Sequence, residues 1–372
     1  MRAPFQANYA IIQRRNLCSI TVKAASPSPA RHVTAKRHMT HPPIYPYPIM
    51  RKNRYEEQPV RSAVDISVVV TTYNQDERAL TLTLNSILQQ NCTSFEIIVA
   101  DDCSKVDPSP FIQRYFRKKE FENYTIVRAS ENIGTVANVA QGISAATGRI
   151  VKPLSPGDAL FGPSTLSDIV RCCGEQGVKL GFGGIISYLP DGSFSPYNAP
   201  QVLDLYTSSR QDSSNVLCSH ILKTDWIPGC SLFYERDLML PYLHELTDRA
   251  HVRYCEDLAC PLCAADDIRI GYLGKPVIWY EMGTGISTSG GNASVRRMYT
   301  DHHNFYHYLP ERITDQQMAR QALRAFSLRE FVALHTPFYR MAQKLKLNQY
   351  AGSDTFDMAP LEKELHFFNA CR

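Results

Sequence analysis

Short β-branched runs alternate with amphipathic helical stretches four times between Asp65 and Leu154, and this alternation constrains the fold more than any other feature of the chain. ISVVVTT (66–72) is a continuous apolar run, the pattern of a strand buried on both faces. From Glu77 to Gln89, Leu80, Leu84, Ile87 and Leu88 fall on one helical face at i, i+4, i+7 and i+8. FEIIVAD (95–101), YTIVRA (124–129) and RIVKPL (149–154) read as further strands, separated by a basic helix around 110–119 and another over 134–146. The expected fold is therefore α/β: a doubly wound, mostly parallel sheet flanked by helices. In such sheets ligands bind beyond the carboxyl ends of the strands. That places Thr71, Thr72, Tyr73 and Asn74, then Asp101, Asp102, Cys103 and Ser104, then Ser155, Pro156, Gly157 and Asp158 around one crevice.

Beyond this core the pattern loosens, and 160–225 supports no firm assignment. TDWIPGCSLFYERD (224–237) reads as a turn, a strand and a helix start, and YCEDLACPLCAADD (254–267) as helical. IRIGYLGKPVIWYEMG (268–283) reads as a short strand pair broken at Gly274–Lys275, and the last 80 residues as helical.

With 44% hydrophobic and 20% charged residues the chain buries a core, which excludes wholesale disorder. The net charge of +4 hides an asymmetry. Residues 1–55 carry ten Lys and Arg and no acid, so all 36 acids lie in 56–372 with the other 30 basic residues. The body is net −6 and the arm +10. An acidic body with a basic arm is a poor nucleic-acid groove, and no nucleic-acid partner is expected. The arm, 1–61, is expected to be disordered; a transit-like segment and upstream sequence before a start at Met39 or Met50 stand beside that reading. No apolar run is long enough to span a bilayer. Eleven cysteines are too dilute for a disulfide scaffold and suit a reduced, cytoplasmic setting. Cys255, Cys260 and Cys263 lack a matching second knuckle for zinc.

Neither GxGxxG nor GxxxxGK[ST] occurs, so a nucleoside diphosphate in the crevice would need another neutralising group. A divalent cation shared between a carboxylate and phosphate oxygens meets that need.

Over about 66–286 the ordered motifs SVVVTTYNQ, FEIIVADDCS, ENIGTVANVAQGISAATGRIVKPL, LSPGDAL and YCEDLA resemble the family 2 glycosyltransferases with a GT-A fold. The resemblance implies a glycosyltransferase domain over 62–290, followed by a helical region over 291–372. It implies an inverting enzyme, hexosyltransferase in type, taking a nucleotide-sugar donor (a UDP-sugar) and a glycan or lipid-linked saccharide acceptor. By the same resemblance Thr71 and Tyr73 contact the base, Asp102 accepts from uracil with Asp101 in support, and Asn132 and Gly134 approach the sugar. Asp158 is the implied ligand of Mn2+ or Mg2+, Asp257 the general base, and Glu256 its positioning partner. Plain local readings compete: a solvated turn for Asp101 and Asp102, helix capping for Asn132, Gly134 and Asp158, and a structural turn for Pro228, Gly229 and Cys230.

Three departures from the family pattern are visible. Ser155 and Gly157 replace the first acids of its D-x-D-D, Asn138-Val139-Ala140 replaces its Ala-Arg-Asn, and Lys152 sits unassigned inside the fourth strand. His220 and His251 are candidates for the acceptor side or for local satisfaction. The thinned acidic motif keeps a catalytically inert nucleotide-sugar-binding protein as the alternative function, with a nucleotidyltransferase further off. Arg320, Arg324, Arg329, Arg340, Lys344 and Lys346 among Leu and Phe suggest either peripheral contact with an anionic membrane or a solvated helix face. Nothing in the pattern settles the oligomeric state.

Overall fold

The computed structural model describes residues 64–92, 94–189, 193–197, 200–208, 210–283, 292–335 and 361–372. The expectations for the basic arm, and for Arg340, Lys344 and Lys346, lie outside the described residues. The first half runs β1 (Ile66–Thr72), α1 (Glu77–Leu88), β2 (Phe95–Asp101), α2 (Ser109–Lys118), β3 (Tyr124–Arg128), α3 (Thr135–Ala145) and β4 (Ile150–Leu154). Then come β5 (Ala159–Leu160), α4 (Thr165–Glu175), β6 (Leu180–Tyr188), β7 (Phe194–Tyr197), α5 (Asp204–Thr207) and α6 (Ser213–Ile221). The remainder is β8 (Leu232–Glu235), α7 (Arg236–Asp248), α8 (Ala259–Ala265), β9 (Ile270–Glu281), α9 (Asn292–Arg312), α10 (Gln316–His335) and α11 (Leu361–Cys371).

The sheet order is β3-β2-β1-β4-β8-β6-β9-β5, with β7 paired to β6. β1, β2, β3 and β4 are mutually parallel, as the alternation of strands and helices predicts. Successive residues of one strand feed two cores. Val69, Ile98 and Val151 pack toward α3, α7 and α8, whereas Val68, Val70, Ile97 and Val99 pack with Leu84, Ile87, Ile112 and Phe116 of α1 and α2. Burial on both faces is why these strands are unbroken apolar runs. β8 enters antiparallel to both β4 and β6, which makes the second half mixed.

One expectation is corrected: residues 268–283 are not a strand pair. β9 runs through Gly274, which takes φ +82, and both halves stay parallel to β6 across a bulge between Phe182 and Ile185. Phe182 pairs with Tyr272 and Ile185 with Ile278, so β9 carries extra residues over this stretch, and Gly274 lies among them instead of turning the chain back.

The described helical end packs onto this body. Phe305, Tyr306 and Leu309 of α9 and Ala319, Ala322 and Phe326 of α10 join the α7–α8 core. α11 stacks Phe368 on Trp279 at 4.6 Å, and the Cys371 carbonyl accepts from Asn85 of α1 at 3.0 Å. No helix among the described residues is long and apolar enough to cross a membrane.

A buried carboxylate fastens the sheet where α3 turns into β4. Glu96 Oε1 accepts from Ser67 Oγ at 2.6 Å, Thr147 N at 2.6 Å, Thr147 Oγ1 at 2.8 Å and Gly148 N at 3.2 Å. Removing it takes away the acceptor of the buried Ser67 hydroxyl and of both Thr147 donors, and an unmet buried donor costs about 1–3 kcal/mol. Glu96→Ala is therefore expected to destabilise the fold by about 2–4 kcal/mol, read as a lower urea midpoint with an unchanged slope.

Candidate active site at the carboxyl edge

The loops after β1 and β2 are tied to each other. Asn74, at φ 53, donates its backbone N–H to Ser104 Oγ at 2.8 Å and accepts from Lys105 N through Oδ1 at 2.8 Å. This leaves the Tyr73 ring 43% exposed above the crevice. Thr71 Oγ1 donates to Leu154 O at 3.4 Å, bridging β1 to β4.

Neither acid of the second turn is solvated, so that reading is corrected. Asp101 is fully buried and accepts from Ser104 Oγ at 2.5 Å, Ser104 N at 3.0 Å and Arg128 Nε at 2.9 Å. Asp102, 4% exposed, accepts from Ile133 N at 2.6 Å, Gly134 N at 3.0 Å and Asn132 Nδ2 at 2.9 Å. Burial raises the pKa of Asp102, while the Ile133 and Gly134 donors and the nearby Arg253 charge oppose the rise.

The 132–134 loop bound by Asp102 holds the next segment in turn. Arg253 donates to the carbonyl of Asn132 and to its Oδ1 at 2.8 Å, and Val136 N donates to Arg253 O at 3.1 Å. Gly134 stands at φ +89, and a Cβ there would collide with the Arg253 side chain and carbonyl. Gly134 is the N-cap of α3 without a side-chain cap bond, so Asn132 serves Asp102 and Arg253 instead of capping the helix.

The 155–158 turn is equally enclosed. Thr83 Oγ1 donates to Asp158 O at 2.6 Å, and Tyr188 donates its hydroxyl to Gly157 O. Gly157, at φ +98, makes way for the Glu281 carboxylate. Asp158 precedes the two-residue β5, so it caps no helix. Its Oδ1 accepts from Glu281 N at 3.0 Å, and its Oδ2 has no hydrogen-bond partner among the described residues. Burial pushes the Asp158 carboxyl up to about 8, against the Glu281 N–H and the Lys152 charge. Lys152 is fully buried and pulled down to about 8 by that burial; its ammonium donates to Pro153 O at 2.7 Å and Cys230 O at 2.6 Å.

No group of three or more His, Cys, Asp or Glu among the described residues could hold a metal on its own. The orphaned Asp158 Oδ2 nevertheless fits a divalent cation whose other oxygens come from a diphosphate. Val139, at the position of the family's arginine, is buried in the core. Arg78, 61% exposed, pairs with Glu281 at 3.0 Å and brings a cation to this acidic edge.

Glu256 and Asp257 lie half-buried in a 3-10 turn, Glu256–Leu258, that leads into α8. Gly229 packs so tightly on the Glu256 carboxylate that a Cβ would collide with it. The Gly229–Ser231 turn thus sits between the pair and Lys152, whose partner is the Cys230 carbonyl. Burial pushes both carboxyls above the usual range. The neighbouring Asp257 adds to the rise at Glu256, and the buried Asp301 of α9 adds to both.

The two histidine candidates stand elsewhere. His220 is fully buried with Nε2 3.4 Å from Tyr206 Oη, and His251 is exposed, its carbonyl accepting from Asn304. Cys260 and Cys263 are buried free thiols.

Sequence reasoning missed Glu281, Arg78, Arg253 and Asp301. Glu281 was findable, because it closes an apolar strand whose carboxyl end reaches the same sheet edge as β1, β2 and β4. Arg253 and Asp301 act through backbone contacts, and Arg78 through an ion pair with Glu281, that no local pattern announces.

Residues 67–196 match the family described as Glycosyl transferase family 2. No curated protein matches the chain. The crystal structure of S. aureus TarS 1–349 in complex with UDP-GlcNAc is 20% identical, with 83% of this chain and 88% of that one covered and a TM-score of 0.51, a likeness of fold. Mannosyltransferase PcManGT from Pyrobaculum calidifontis, in complex with GDP-Man and Mn2+, is 18% identical over 84% of this chain and 83% of that one, with a TM-score of 0.43.

The buried acid makes a stability prediction. Folded Asp158 keeps its proton to a higher pH than the unfolded chain, so its contribution is favourable at low pH and is lost as pH rises toward about 8. Asp158→Asn removes that penalty. Thermal midpoints should show the variant gaining on the native protein between pH 5 and pH 8, and a constant difference across that range would refute the assignment.

Proposed function

We propose that this chain, whose residues 67–196 match Glycosyl transferase family 2 and whose fold is like that of TarS 1–349, is an inverting enzyme transferring a hexose from a nucleoside-diphosphate sugar to a hydroxyl of a glycan or lipid-linked saccharide. The observation that carries this reading is the Glu256–Asp257 pair, raised by burial and seated one turn away from the Lys152–Asp158 cluster. UDP-GlcNAc, the ligand of the TarS fragment, is the donor to try first.

The exposed Tyr73 ring offers a stacking face for the base, with Thr71 beside it on β1. Asp101 and Asp102 act from beneath: their carboxylates hold the walls of the base pocket, and Asn132 and Gly134 form the rim. Asp158 would hold Mn2+ or Mg2+, which when bound supplies Lewis-acid neutralisation of the diphosphate charge.

Asp257 accepts the proton of the acceptor hydroxyl as its oxygen attacks the anomeric carbon. The bond to the diphosphate oxygen breaks on the opposite face, so configuration inverts. Its raised pKa makes it a better base than a solvated carboxylate, and Glu256, held against Gly229, positions the acceptor. Free cysteines suit a cytoplasmic site of action. The exposed Arg320, Arg324, Leu328 and Phe331 of α10 suit a peripheral approach to a membrane bearing the acceptor.

Asp257→Asn should abolish sugar transfer while calorimetric binding of UDP, with and without Mn2+, persists. In the native enzyme kcat/KM should fall on acidification at a pH above the ordinary carboxylate range, because protonation removes the base. Normal turnover by the variant would sink the assignment. Donor binding with neither transfer nor hydrolysis by the native protein would favour an inert binder, the reading prompted by Ser155 and Gly157 in the thinned acidic turn.

A further inference from the structure

Asp301 lies on α9 and is bound to the residues that lead into Glu256 and Asp257, all of them beyond the matched family segment. It is 2% exposed. Its Oδ1 accepts from Arg253 N at 3.1 Å, and its Oδ2 accepts from Tyr254 N at 2.5 Å and Cys255 N at 3.0 Å. Three consecutive backbone N–H groups directed at one carboxylate form an anion nest, and here the anion belongs to the protein.

The same helix face makes two further contacts with this segment. Arg297, one turn earlier, lies over the Tyr254 ring at 5.5 Å, and Asn304 donates to His251 O at 2.9 Å. Asp301 differs from both in that it faces the acidic pair with a charge. Each of its three backbone bonds is one it accepts, as a carboxylate does, and these backbone donors work against the rise in pKa that its burial causes.

We propose that Asp301 is a positioning residue for the transfer reaction: it fixes the 253–255 backbone so that Asp257 meets the acceptor hydroxyl, and it sets a buried carboxylate beside the pair. The inference rests on the assignment of Asp257 as base. Two roles follow from one side chain, and they separate experimentally. The backbone grip governs where the Asp257 oxygen sits. The charge governs how tightly that oxygen holds a proton.

The other titratable groups facing the pair are Tyr234 of β8, Cys230 of the Gly229–Ser231 turn, and Cys255 and Cys260 of the pair's own segment. Burial pushes all of these upward, leaving them neutral near pH 7. Arg253 adjoins the pair but spends its guanidinium on Asn132, and Lys152 stands behind the Cys230 carbonyl. Asp301 is thus the buried charge that bears on the pair from a separate element.

The test measures transfer from a nucleotide sugar across pH for the full chain and for Asp301→Asn, Asp301→Glu and Asn304→Ala. Asp301→Asn should lower kcat about a hundred-fold through misplacement of the base, leave the donor KM unchanged, and move the acidic limb to lower pH because the repelling charge is gone. Asp301→Glu keeps the charge but displaces it, so kcat should fall while the limb stays in place. Asn304→Ala loosens the same helix face without a charge change and should leave the limb unmoved.

An unmoved limb in Asp301→Asn, or native kcat in Asp301→Glu, overturns the proposal. If Asp301→Asn does not fold, the Asp301→Glu result alone decides the positioning role. Failure of the parent reading looks different: the native chain then transfers nothing, or Asp257→Asn remains active.

Discussion

Backbone N–H groups at the carboxyl edge of a parallel sheet have left the strand ladder and have nothing in regular structure to donate to. In this protein buried carboxylates receive them. Asp102 takes those of Ile133 and Gly134, Asp301 those of residues 253–255, and Asp158 that of Glu281, while at the opposite, amino edge Glu96 takes those of Thr147 and Gly148. Each acid joins segments distant in sequence, and a backbone donor fixes main-chain position where a side-chain partner would fix only a rotamer. The loops that form the site are rigid because their amides are satisfied.

The same economy shapes the electrostatics. The body is net acidic, yet Asp102, Asp158 and Asp301 are met by oriented N–H dipoles, while Asp101 and Glu281 have Arg128 and Arg78 as countercharges, and together these let several carboxylates share a small volume. Where the screening is incomplete the proton affinity rises, at Asp158 with its unpartnered oxygen and at Glu256 and Asp257. Lys152 offsets part of this from below, buried by two carbonyls and without a direct ion pair. A donor carrying negative charge therefore meets a wall that is acidic in composition but tempered by buried dipoles and by Arg78.

The parallel half of the sheet was legible because burial on both faces leaves unmistakable apolar runs, and the loop clusters after β1, β2 and β4 follow from topology. The Gly274 bulge was not legible, because glycine between two apolar runs signals a turn and a bulge alike; pairing with β6 decides between them. For Asp101 and Asp102 a solvated turn competed with a place at the ligand crevice, because their partners, Arg128 and the 132–134 amides, come from the next strand and loop. Asp301 was hidden for a related reason: a lone acid on a long polar helix resembles a surface residue until the helix is docked. Local pattern finds residues that line a site, and it misses those that hold the lining in place.

The contact between α11 and Trp279 sets an order of events as the chain emerges from the ribosome. Phe368 reaches the indole only after α9, α10 and the segment behind them have been synthesised, and until then the β5–β9 edge and the face of α1 around Asn85 stay open. Strands, crossovers and the buried acids can assemble earlier, since all their partners precede α11. The elements that carry the chemistry can therefore assemble before this flank is covered, and until it is covered the exposed edge is open to pairing with a neighbour.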